Sequence, residues 1–358
     1  MGTGVVAIIF HSIPWRTKWL YYLSIVFFVL NVLLFSAAFT ISVLRYTIWP
    51  EIWGVMIEDA TNSLFLGTIP MGYLTLVEMW IFVCIPAWGP WAAYVGWGLW
   101  ILGSTAAVAV TLSLGVLLMS EAHQHSLGTI TAAQLLPIAA TIVAAGTGSD
   151  MAAALPNPQH ALATAIASYI LWGMAVPMAF SVLVIYYQRL ALHKMPPREV
   201  IVSAFLPLGP LGLGGRAILN LGLVCKDVFP STGSVDPIAG QIAYVVGFFV
   251  ALIMWSWGLV WFAFAVASIY RSRPIPFVSE HRTLGYGHLD LYTGSGEILS
   301  FGFARYLSCS LSNVTAIKSY GIFPLTSSRT WVGGGSPSRL GSTVPVQCSS
   351  ESSCHPFS

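Results

Sequence analysis

The side chains equipped for chemistry in this 358-residue chain fall into three groups. The first is His123-Gln124-His125, two imidazoles in alternation. A metal site needs a third ligand that this spacing does not supply. The pair reads better as titratable groups at the cytoplasmic mouth of a pathway. The second is Glu78, the one acid expected well inside an apolar stretch. It stands about 24 Å along its helix, close to the far interface. There it reads either as a functional carboxylate or as one that snorkels to water. The third group is the hydroxyls of Thr68, Thr75, Thr129, Thr131 and Thr141. Any one of these more often bonds its own helix backbone than a substrate. The five cysteines have no close pair and no CxxC, so they supply neither a zinc site nor a disulfide framework.

Glycine and proline interrupt the same stretches. They form Gly67-Thr68-Ile69-Pro70-Met71-Gly72, then Pro137 with Gly146-Thr147-Gly148, then Gly173 and Pro177. A final group holds Pro207, Gly209, Pro210, Gly212, Gly214 and Gly215. Proline removes a helix hydrogen bond and kinks the helix. Inside a bilayer the freed backbone groups need protein or water as partners, so kinked helices tend to line a cavity. Helix ends at such breaks present N–H groups that favour anions. The expectation is an anion pathway built from backbone dipoles and hydroxyls, with neutral lining and almost no interior charge. The competing role of each small residue is close helix packing.

These residues must be positioned by membrane-spanning helices. The chain is 56% hydrophobic and only 8% charged, where a soluble domain carries about a quarter charged residues. That excludes a soluble enzyme, and it excludes disorder for most of the chain. A net charge of +2 is too small to suggest a nucleic-acid partner. A bilayer crossing needs about 20 apolar residues. Eight candidate spans result, at 2–13, 19–44, 62–85, 91–120, 127–145, 160–187, 200–224 and 238–270. The first is too short to cross. It reads as half a helix or, preferably, as the point where the chain starts inside a longer protein. No basic segment precedes it as in a cleavable signal peptide.

With the N-terminus inside, the cytoplasmic loops hold Arg45, Arg189, Lys194, Arg198, Arg271 and Arg273. The outside loops hold Arg16, Lys18 and Lys226 beside Asp150, Asp227 and Asp236. The bias favours a cytoplasmic N-terminus. Residues 1–277 form the membrane domain. Residues 278–358 contain no run long enough to span, and the final Ser/Gly/Pro tract reads as disordered.

Several motifs resemble a known family. The start Met1-Gly2-Thr3-Gly4, with an apolar stretch and Pro14, is similar to the first helix of the fungal branch of the tellurite-resistance/dicarboxylate transporters. Residues 127–148 look like that family's fifth-helix motif, and residues 205–222 look like its seventh. Trp49-Pro50-Glu51, Gly67-Thr68 and Met71-Gly72 resemble the sulfite-efflux branch more than the malate branch. Plant slow anion channels are more distant relatives. The resemblance implies an all-α membrane fold of ten helices in five hairpins, with bent odd helices around a central pore and even helices outside. It implies a homotrimer in the plasma membrane and a small anion substrate, sulfite or bisulfite, with no cofactor and no enzymatic activity. The implied pathway residues are Thr3, Gly4, Gly67, Thr68, Pro70, Thr131, Pro137, Gly209, Pro210, Gly214 and Gly215. From their own chemistry, Glu78, His123 and His125 are expected at the mouth or as pH sensors. A C4-dicarboxylate transporter, a membrane-embedded enzyme and a non-transporting remnant are the rival readings.

The resemblance also requires a ninth helix containing something like GWWGFTFPLGVY, and then a tenth. The chain has neither. It has residues 330–343, TWVGGGSPSRLGST. Read from the third base of the Thr330 codon, the possible codons of this segment permit LGWWGFTFPLGVY. The expectation is a tail in the wrong reading frame after a retained intron covering roughly residues 278–329.

Overall fold

The computed structural model describes residues 2–12, 18–59, 62–119, 130–193 and 204–271. His123, His125, Thr129 and the expected tail domain 278–358 lie outside the described residues. The described residues contain no strand. The helices are α1 (Gly2–Ser12), α2 (Lys18–Ile48), α3 (Glu51–Glu58), α4 (Thr68–Met79) and α5 (Ile85–Trp88). They continue with α6 (Pro90–Met119), α7 (Leu135–Ala154), α8 (Pro158–His193), α9 (Leu208–Thr232) and α10 (Pro237–Arg271). A 3-10 turn leads into α4 (Ser63–Gly67) and another into α7 (Ala132–Gln134), while a π turn (Trp80–Cys84) joins α4 to α5. Seven helical stretches among the described residues are long and apolar enough to cross a membrane, and α1 is a shorter apolar helix. That agrees with the eight expected spans. The small helix α3 was not foreseen.

Two boundaries move. The span expected at 127–145 is α7, Leu135–Ala154, and the one expected at 200–224 is α9, Leu208–Thr232. Gly146-Thr147-Gly148 looks like a helix end in sequence. It lies inside α7 because neighbours fill the space a side chain would need: a Cβ at Gly148 would come within 2.6 Å of the Trp100 ring. The inner prolines also act differently from the expected kinks. Pro70, Pro137 and Pro210 each occupy the third residue of their α-helix, directly after a turn or 3-10 segment. First-turn N–H groups have no intrahelical acceptor, so proline costs little there. These breaks start helices rather than bend them. Elsewhere Asn157-Pro158 and Asp236-Pro237 open α8 and α10. The Asx oxygens accept the Gln159 and Ile238 N–H groups at 2.9 Å, and proline takes the first helical position.

Printed contacts fix the directions of the helices. Gly4 lies against Thr75, and the His11 ring stacks on Phe82, so α1 and α4 run parallel. Trp80 donates to Ala92 O while Gly103 meets Tyr73, so α4 and α6 are antiparallel. Trp100 donates to Ala144 O and Thr111 to Pro137 O, so α6 and α7 are antiparallel too. Gly146 faces Ala217 while Asp150 bonds Asn220, making α7 and α9 parallel. Gly222 against Tyr244 and Gly240 against Cys225 make α9 and α10 antiparallel. Four helices therefore run in one direction: α1, α4, α7 and α9.

Burial separates these from the rest. In the most apolar window of α7, 94% of residues are buried, and in α9 83%, against 11% in α2 and 28% in α10. The parallel helices form the inner layer, and α2, α6, α8 and α10 pack outside them. Apolar transfer gives little net drive between helices already in lipid, so close van der Waals contact holds the bundle. Glycine supplies that closeness. A Cβ on Gly67 would lie 2.7 Å from Pro137 Cα, and one on Gly247 would lie 2.7 Å from Ile218 O. Around the inner layer α1 packs on α4, α4 on α7 and α7 on α9. Among the described residues no comparable packing joins α9 back to α1.

Candidate functional site

The polar centre of the inner layer is built on Arg216, eight residues into α9. Its Nη1 donates to Glu78 Oε1 on α4 at 2.6 Å, and its Nη2 donates to Asp150 Oδ2 on α7 at 2.9 Å. Asn220, one turn further along α9, donates from Nδ2 to Asp150 Oδ1 at 2.9 Å. Three parallel helices thus meet at one guanidinium. Its side chain is 12% exposed, against 8% for Asp150 and 1% for Glu78. Of the three charged groups the cation is the most exposed.

The surrounding backbone explains the placement. Directly after Glu78 and Met79 the chain widens into the π turn, where the Ile85 N–H bonds back to Trp80 O. Pro86, which has no N–H to donate, follows. The wide turn carries Phe82. Arg216 Cζ lies 6.0 Å from the Phe82 ring centroid, and His11 stacks on that ring at 5.2 Å. On α9 the residues from Leu208 to Gly215 are all buried, and then Arg216, Asn220 and Leu223 are half-buried and Asp227 is exposed. Their spacing of four, three and four puts them on one helical face. On α7, Gly146 and Asp150 are the half-buried positions of an otherwise buried stretch. These faces meet where Arg216 and Asn220 bond Asp150.

Several expectations are corrected by this geometry. Glu78 does not snorkel: it is buried and ion-paired. Asp150, expected in an outside loop, lies in α7, and Lys226 and Asp227 lie in the last turns of α9. The interior is not nearly free of charge and its lining is not neutral, because Arg216, Glu78 and Asp150 sit together within it. The signal for this was present in the sequence. A lone guanidinium within the glycine-rich stretch 208–222 demands acidic partners once that stretch is placed in a membrane.

The implied pathway residues occupy other positions in the inner layer. Thr3 donates to Asn31 Oδ1 at 2.8 Å, and Asn31 reaches Thr75 at 3.4 Å. A Cβ on Gly4 would lie 2.5 Å from Thr75 Oγ1. Gly67 seats α4 against Pro137. Thr68 bonds Phe65 O at 2.7 Å, and Pro70 is buried one residue beyond Ile69. Thr131 is half-buried in extended backbone ahead of α7. Thr141 is buried against Thr111, its hydroxyl 2.8 Å away. Gly209 and Pro210 are buried in the first turn of α9. Gly214 and Gly215 face α10 at Met254 and Ala251, and Gly214 O accepts the Trp172 indole N–H at 2.8 Å. No group of three or more His, Cys, Asp or Glu among the described residues could hold a metal ion.

Comparison with known proteins follows the same lines. A family model described as voltage-dependent anion channel matches residues 1–294. The sulfite efflux pump SSU1 of Arthroderma otae is 49% identical over 273 residues, covering 76% of this chain and 72% of that protein. Its counterpart in Trichophyton rubrum is 47% identical with the same coverage. The malic acid transport protein of Schizosaccharomyces pombe is 22% identical over 294 residues, covering 77% of this chain and 64% of that protein.

Proposed function

The chain belongs to the voltage-dependent anion channel family, and we propose on that premise that it exports sulfite or a closely related small anion across the plasma membrane. The observation that carries the proposal is Arg216, a cation of the membrane-spanning bundle held by Glu78 and Asp150 on two other inner helices. A buried guanidinium on a membrane path marks a place where an anion can shed hydration and still meet a counter-charge. The relatives named sulfite efflux pumps supply the substrate.

With the N-terminus in the cytoplasm, α1, α4, α7 and α9 all start on the cytoplasmic side. The positive dipole ends of α4 and α7 then greet an anion leaving the cell. Thr3, Gly4, Thr68, Pro70, Thr131, Pro137, Gly209 and Pro210 border this entry in the proposed pathway, with His123 and His125 at its mouth. Gly67, Gly214 and Gly215 serve it by holding the helices close. The assembly is a homotrimer with one path per subunit.

A second reading, C4-dicarboxylate transport, draws on the malic acid transport relative and on the fit of a guanidinium fork to carboxylates. Purified full-length protein in liposomes separates the two readings. Efflux of entrapped sulfite above that of empty liposomes, without malate flux, is the expected result. Malate flux without sulfite flux would select the second reading, and flux of neither would overturn both.

A further inference from the structure

We propose that the cleft between α2, α4 and α6 is a binding site for a sterol, a rigid fused-ring membrane lipid with a single hydroxyl. The cleft has a volume of about 730 Å³, within the ~300–1,000 Å³ of small-molecule pockets. It exists because α2 packs on α1 and more sparsely on α4, with no comparable packing on α6 among the described residues. Close-packed helices leave few voids larger than a water molecule, so a gap of this size needs an occupant.

Water does not suit it. No charged side chain lines the cleft. Tyr73 is on its wall, but the Tyr73 hydroxyl is covered and has no hydrogen-bond partner. Apolar cavities of this kind stay dry. The helices around the cleft cross the membrane, so the hydrocarbon of the bilayer is what fills it.

The shape selects among lipids. On α6, Gly103, Ala106, Val110, Ser113 and Leu117 line the cleft at steps of three, four, three and four, which is one helical face. That face runs for about 21 Å at 1.5 Å per residue. On α2, the Phe35 and Phe39 rings lie one turn apart and within 10° of parallel. A flat aromatic wall and a strip of mostly small residues thus border one long slot. One end is closed where Phe35 leans on Tyr73 and Tyr73 lies against Gly103. At the other end stand Trp53 of α3 and Ser63 of the 3-10 turn, bringing an indole N–H and a hydroxyl. A long apolar body with a small polar head at the Trp53 end matches this distribution.

Transfer from bilayer to slot gains little from the hydrophobic effect, since both are apolar. Fit and lost freedom therefore decide which lipid stays. A flat rigid ring system touches both walls and has little conformational entropy to lose, whereas an acyl chain must be ordered to do the same. The bound sterol also braces the pathway side of the bundle, because Ile69 and Pro70 in the first turn of α4 belong to the slot.

The test uses purified full-length protein in phosphatidylcholine vesicles containing a diazirine-bearing sterol. Photolabelled peptides are identified by mass spectrometry. The expected labelling of the stretches 35–39 and 103–117 is several-fold above that of the lipid-facing sides of α8 and α10, and unlabelled sterol displaces it. Ala106→Phe puts a ring into the slot and should lower that labelling several-fold. Sterol should raise the melting midpoint of the parent and not of the variant. Tryptophan-fluorescence melting in sterol-free vesicles identifies a variant that has failed to fold, and Val110→Phe then decides. Even labelling over all outer helices overturns the proposal, as does undiminished labelling in a folded variant. A photoreactive phosphatidylcholine that labels the same stretches and is not displaced by sterol assigns the slot to an acyl chain, and overturns it as well.

Discussion

Arg216 Nη1 and Glu78 Oε1 lie 2.6 Å apart although 138 residues separate them in the chain. The bond ties the fourth helical hairpin to the second across the inner layer, and Asp150 adds the third at the same guanidinium. Structure and proposed activity therefore share one set of side chains.

Removing the cation should be costly. Arg216→Gln takes from two buried carboxylates the guanidinium that both bond, and breaking a buried pair in this way costs about 3–5 kcal/mol. Thermal unfolding followed by tryptophan fluorescence should show a large drop in midpoint. Combining Arg216→Gln with Glu78→Gln and Asp150→Asn should recover most of it. Recovery of stability without recovery of sulfite flux would separate the structural role from the transport role.

Gly67 and Gly54 form a matched pair for testing inner-layer packing. A Cβ at Gly67 would press on Pro137 backbone at 2.7 Å, whereas one at Gly54 meets nothing within 4 Å. Gly67→Ala should destabilise by about 1–3 kcal/mol, the usual range for overpacking. Gly54→Ala should leave the melting midpoint unchanged or slightly raised. Equal behaviour of the two would mean that α4 and α7 do not approach as closely as described.

Trp100 crosses from α6 to α7, donating to Ala144 O at 2.9 Å beside Gly148. Trp100→Phe removes the donor and part of the contact while keeping an aromatic ring. A loss of about 1 kcal/mol is expected for the hydrogen bond, with sulfite flux retained, since neither group bonds the Arg216 cluster. A complete loss of flux at normal stability would place Trp100 in the pathway.

In the proposed pathway His123 and His125 sit at the cytoplasmic mouth. A protonated imidazole attracts anions. Efflux should fall as cytoplasmic pH rises, and His123→Ala with His125→Ala should flatten the fall. Rates are to be compared at equal concentrations of each sulfite species. An unchanged profile in the double variant would remove the pair from the mechanism.

Residues 330–343 permit a second experiment, on the transcript. Sequencing across the codons for residues 276–358 should yield a spliced message in which the alternative frame runs on into a further hairpin. A message encoding only the present tail, with a product that exports sulfite, would sink the idea.

Much of the architecture is legible in the chain alone. Seven long apolar stretches and a shorter first one, in a sequence with 8% charge, read as the helices of a membrane bundle. The Gly-Pro segments at 67–72, 137–148 and 207–215 lie in the inner layer, because close approach of backbones needs residues without side chains, whereas Gly173 and Pro177 lie in outer α8. What these segments do locally was misread. Sequence shows that a proline interrupts a helix, but not whether it stands mid-helix or in the first turn. That depends on where the preceding 3-10 turn hands over, as at Ser63–Gly67 before Thr68.

The charged centre was lost for a different reason. Asp150 follows Gly146-Thr147-Gly148, so it reads as a loop acid until Trp100 and Ser168 are seen packing around Gly148 and keeping the helix whole. Sequence determined the solvent of this protein, the number of crossings and the presence of a few ionisable groups among them, since those follow from composition and periodicity. Only the tertiary structure decided that Glu78, Asp150 and Arg216 are one site. The helix faces that carry them come together through packing between segments 66 and 138 residues apart, and no local rule encodes such distances.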